Sequence, residues 1–142
     1  MDTYKMPQNP KIVIFGNSPA VSQFVQNHFA GYNKLSGENV GQEGDQKSAH
    51  IIADSILRIG ENFADGHVIL NYPLNITQAQ NLDIMIDGVN LAINFTNGEQ
   101  NSENQDVLGY YKERGTLINF DLNQEGDVSQ KLQDAILAHI KL

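Results

Sequence analysis

KIVIFGNSPAVSQFVQNHF, residues 11–29, is the stretch that decides the architecture. Ile12, Val13, Ile14 and Phe15 make an unbroken apolar run of strand length. Gly16 turns the chain, and Val21, Phe24, Val25 and Phe29 then recur at helical spacing. Strand, tight glycine turn and helix is the layout that aims backbone N–H groups and a helix N-terminus at a phosphate. A phosphate loop reads G-x-x-x-x-G-K-[ST], whereas the chain runs Gly16, Asn17, Ser18, Pro19, Ala20, Val21, Ser22, Gln23. Val21 stands where the second glycine belongs and Ser22 where the lysine belongs. The frame of a phosphate site is present and its contents are missing.

Working outward, residues 31–45 are polar and glycine-rich, interrupted by a short segment over residues 34–38. Ala49, Ile52, Ile56 and Ile59 give residues 46–63 the spacing of an amphipathic helix. Residues 67–72 form a short apolar run suited to a buried parallel strand, ended by Pro73. Ala79, Leu82 and Met85 predict a helix over residues 77–87, closed by Gly88. Residues 89–95 read as a further strand, and the polar run over residues 96–105 as an exposed loop. A short helix over residues 106–114 leads through Gly115 to a last strand over residues 116–120. Asp127 then caps a helix bearing Val128, Leu132, Ile136 and Ile140 on one face. Apolar strands alternating with amphipathic helices predict one α/β domain over residues 1–142, a parallel sheet covered on both faces. The loops over residues 31–45 and 96–105 are the expected excursions from its core.

Composition excludes several functions. A formal net charge of −8 with nine Lys and Arg residues is the wrong balance for nucleic acid or an anionic membrane. The absence of cysteine removes disulfides, thiolate chemistry and cysteine-based zinc sites. The first ten residues have neither an apolar signal core nor an Arg-rich amphipathic pattern, and no apolar run approaches membrane-spanning length. The expectation is a soluble, intracellular, cytoplasmic protein, with the sequons at Asn75 and Asn94 fortuitous. His28, His50, His67 and His139 lack ligand-like spacing, so no metal is expected. Asp83 and Asp87 read as a solvated helix face, and Tyr110 and Tyr111 as packing residues.

GHVILNYPLNITQAQNLD, residues 66–83, resembles the adenylate kinase segment G-[FY]-[IL]-L-D-G-[FY]-P-R-x-x-x-Q-A without a gap. Gly66, Tyr72, Pro73, Gln78 and Ala79 match. The first strand and Gly16 are similar to that family's opening. Leu35, Ser36, Gly37 and Glu38 resemble its [IL]-S-[TS]-G-[DE] stretch beside the AMP site. Val107, Leu108, Gly109, Tyr110 and Tyr111 resemble its [LI]-x-x-Y-Y ending. The four motifs occur in the family's order and span nearly the whole chain. The resemblance implies a three-layer α/β/α, P-loop nucleotide-kinase-like fold with a five-stranded parallel sheet, one strand more than the apolar runs supply. It also implies a vestigial nucleotide site at Gly16, Ser36, Gly37 and Gln78, the last reading an adenine edge.

The departures fall on the residues that do chemistry. The family's phosphate-loop lysine is Ser22, its magnesium-orienting aspartate is Leu70, its glycine is Asn71 and its AMP-phosphate arginine is Leu74. The polar run over residues 96–105 is too short for the lid that carries the family's catalytic arginines. Phosphoryl transfer rests on positioning and charge stabilisation, and loss of one cationic contact costs about 10³-fold or more. Catalytic residues, cofactors and metals are therefore expected to be absent, and nucleotide binding to be lost. Leucine at 70 and 74 suits a shell freed of buried charge.

The expected function is that of a catalytically inactive adenylate kinase-like domain in a larger assembly of protein subunits, in a ciliary axoneme or a mitochondrial complex. One alternative is a nucleotide sensor keeping an AMP half-site through Ser36 and Gln78. Another is an active phosphotransferase borrowing a cation, for which Lys34 and Lys112 are the local candidates, neither at the family's spacing.

Overall fold

A strand that is apolar along its length has to be covered on both faces, and β1 (Lys11–Phe15), central in the sheet, is buried throughout. The computed structural model describes residues 10–16, 19–37, 40–59, 66–96 and 105–139. After β1 come α1 (Pro19–His28), β2 (Asn33–Ser36), a 3-10 turn (Val40–Glu43), α2 (Asp45–Ile59) and β3 (His67–Leu70). Then follow α3 (Ile76–Ile86), β4 (Leu91–Thr96), α4 (Gln105–Glu113), β5 (Leu117–Asp121) and α5 (Val128–His139). All five strands run parallel in the order β2-β3-β1-β4-β5.

Alternation along β1 sorts the layers. Val13 and Phe15 pack with Ile52 and Ile56 of α2, Leu82 of α3 and Tyr111 of α4. Ile12 and Ile14 pack with Val21 and Val25 of α1 and with Leu132 and Ile136 of α5. The result is the expected three-layer α/β/α arrangement, compatible with a phosphate-loop-like fold.

The expectation for residues 31–45 needs correction, because this polar stretch holds β2. Asn33 pairs in register with His67 and Ser36 with Leu70. Asn33 and His67 are both buried, with Nδ2 of one 3.1 Å from Nδ1 of the other. A polar side chain can thus sit in the sheet because its neighbour satisfies it. The strand expected over residues 67–72 stops at Leu70, where Asn71 turns to φ +60° ahead of the cis Tyr72–Pro73 bond. Of two side-chain caps, the one at Asp127 was expected and the one at Asn75 was not. Asn75 Oδ1 accepts from Gln78 N at 2.8 Å, and Asp127 Oδ1 accepts from Gln130 N at 3.1 Å. The end of the helix expected over residues 46–63, most of the loop over 96–105, and Ile140 lie outside the described residues. Among those described, no helix is long and apolar enough to cross a membrane.

Candidate functional site

In open α/β sheets ligands bind outside the carboxyl ends of the strands, and a crevice of about 470 Å³ opens there beside β1, β2 and β3. Gly16 forms one wall. Its φ of +125° and its position explain the glycine: a Cβ would stand 3.0 Å from Phe95 O and 3.3 Å from Phe95 Cβ.

Three residues of sequence, 16–18, separate β1 from α1, since α1 begins at Pro19. In a phosphate-binding strand–GxxxxGK[ST]–helix unit the chain loops round the phosphate before the helix starts. Here Val21, at the second glycine position, is the third residue of α1 and is buried in the core with Ile12 and Ile14. Ser22 follows it in the helix and borders the crevice. The helix therefore begins before the second glycine position, and the lysine is missing as well.

The other walls are mixed in character. Val25, Leu70 and Leu74 are apolar, and Gln26 and Asn71 are polar. Lys34 is the charged residue among the lining, and its ammonium also reaches back to Tyr32 O at 3.4 Å. Leu74 is 45% exposed, an apolar lip on the rim.

Of the four residues singled out from sequence, Gly16 lines the crevice and the other three brace its edge. Ser36 ends β2 beside Leu70. Gly37 N donates to Leu70 O at 2.8 Å, and a Cβ on Gly37 would stand 2.3 Å from Tyr72 Cβ. Gln78 is 2% exposed, and its Oε1 accepts from Leu74 N at 2.8 Å. That carboxamide oxygen holds the β3–α3 connection. Tyr72 anchors the same connection through its hydroxyl, 2.8 Å from Ser48 Oγ, and burial raises its phenol above the usual value.

Two features escaped the sequence signals. Asp83, expected on a solvated face, is 9% exposed and accepts from Tyr110 Oη at 2.6 Å and from Val89 N at 3.2 Å. Its partners come from another helix and from the loop after α3, so no local spacing announces them. A second cleft, of about 590 Å³, lies between α4 and one face of β4 and β5, with Lys112 on its wall. Among the described residues no cluster of three His, Asp or Glu could hold a metal ion.

Compared with models of known protein families and with curated proteins, the chain matches none.

Proposed function

We propose that the chain is a catalytically inactive adenylate kinase-like domain serving as a structural or interaction subunit of a larger assembly, in a ciliary axoneme or a mitochondrial complex. The observation that carries this reading is the early start of α1 at Pro19, with Val21 buried in the helix where a loop glycine would meet a phosphate. Leu70 and Leu74 line the same crevice at the positions of the family's aspartate and arginine. The backbone features of the resemblance persist beside those losses. Asn71, in place of glycine, adopts φ +60°, a conformation both residues tolerate. Gly37 still packs against Tyr72. A fold that keeps its backbone requirements and drops its charges is one retained for its shape. The exposed Leu74 at the rim gives a protein partner an apolar foothold.

The nucleotide-sensor alternative needs the Gln78 carboxamide for an adenine, and that group is engaged by Leu74 N. The test is the sedimentation size of the endogenous protein in a gentle lysate, with mass spectrometry of what travels with it. A large particle of constant composition is expected. Sedimentation as a lone chain overturns the reading, and a thermal shift with AMP then supports the sensor. A coupled assay should detect no ADP formation.

A further inference from the structure

We propose that the cleft between α4 and the face of β4 and β5 beneath it binds a small organic oxyanion, a carboxylate or phosphate monoester. The proposal is independent of the subunit role above. At about 590 Å³ the cleft is in the size range of ligand sites.

Its floor breaks the rule for parallel strands, which are apolar where both faces are covered. Asn94, inside β4 between Ile93 and Phe95, is buried, and its Nδ2 donates to Asn119 Oδ1 of β5 at 3.0 Å. The bond leaves Asn119 Nδ2 without a partner among the described residues. The same holds for the Thr96 hydroxyl at the end of β4 and the Lys112 ammonium on α4. All three line the cleft, and all three are donors. Lys112 is the charged residue among the described lining, in a chain of net charge −8. Leu108 and Leu117 add apolar contact for the body of a ligand.

The wall carries an independent mark. Gly109 lies inside α4, where glycine is a poor helix former. A Cβ there would meet nothing within 4 Å, so packing within the protein does not call for the glycine. It borders the cleft, and close approach of a ligand to backbone is a reason for glycine at such a place. Donors without acceptors, an amide floor and an open helix wall together point to a small oxyanion.

The test uses the full chain, titrated with succinate and, separately, with glycerol 3-phosphate, followed by amide NMR shifts and melting temperature. Saturable binding of one or both is expected, with shifts gathered on β4, β5 and α4, and the ligand that binds identifies the anion class. K112Q should weaken that binding at least tenfold. G109A should raise the melting temperature of the free chain while weakening binding several-fold, which a purely structural glycine would not do. Absence of saturable binding by both anions, K112Q affinity within twofold of the parent, or shifts gathered around Gly16 instead would each overturn the proposal.

Discussion

The Tyr110 phenol donates to Asp83 Oδ2 at 2.6 Å and so ties α4 to α3. The other oxygen of Asp83 takes Val89 N, and Arg114 Nε stands 3.5 Å away with its guanidinium over the Tyr110 ring. A carboxylate this far from water depends on its donors, and removing it strands them. D83A is expected to lower unfolding free energy by about 2–3 kcal/mol and Y110F by about 1–2 kcal/mol. Urea denaturation measures both, and a D83A midpoint equal to the parent's would refute the arrangement.

The same pair sets an alkaline limit. Burial, then the hydrogen bond to Asp83 and its charge, push Tyr110 up to about 12, with Arg114 opposing. The folded state thus favours the neutral phenol. Its contribution is complete below the unfolded value of about 10 and is lost as pH rises from there through about 12. Stability should fall across that interval, and Y110F should make the fall shallower. Phenolate absorbance should show Tyr72, Tyr110 and Tyr111 ionising later than an ordinary tyrosine.

Restoring a lysine should not restore a phosphate site. Ser22 is the fourth residue of α1, and three residues of sequence separate that helix from β1. S22K is expected to bind ATP no better than the parent by calorimetry. Micromolar binding by that variant would overturn this expectation.

Two glycine-to-alanine changes should have opposite signs. At Gly37 the new methyl would stand 2.3 Å from Tyr72 Cβ and 2.8 Å from Cγ, against a ring that is fully buried. Overpacking of this kind costs about 1–3 kcal/mol. At Gly109 the methyl meets nothing, and alanine in a helix interior gains about 1 kcal/mol over glycine. Thermal melts of G37A and G109A should bracket the parent.

Much of the fold was legible because β1, β3, β4 and β5 are apolar runs and the helices carry apolar faces at regular spacing. β2 was not, because an edge strand with the sequence Asn33-Lys34-Leu35-Ser36 has one strand neighbour and buries little. What holds Asn33 is His67, 34 residues away. The clefts were legible only in part for a related reason. Lys34 and Lys112 lack motif spacing, yet each borders a cleft assembled from several elements. Spacing along a chain detects groups that share a helix or loop, while a cleft collects groups that share a place. Asp83 shows the limit most clearly: it lies four residues from Asp87, as on a solvated face, and its burial is decided by Tyr110 on another helix.

The central position of β1 has a consequence for how the chain is made. Its neighbours are β3 and β4, so Ile12 must wait for Val68 on one side and Leu91 on the other. At a synthesis rate of roughly 5–20 residues per second, the most apolar strand emerges seconds before either partner exists. Pairings this distant in sequence also slow folding itself. β1 is thus flanked on both sides only after β4 has been made, and a nascent chain halted before β4 offers one side of its central strand to chaperones or to other nascent chains.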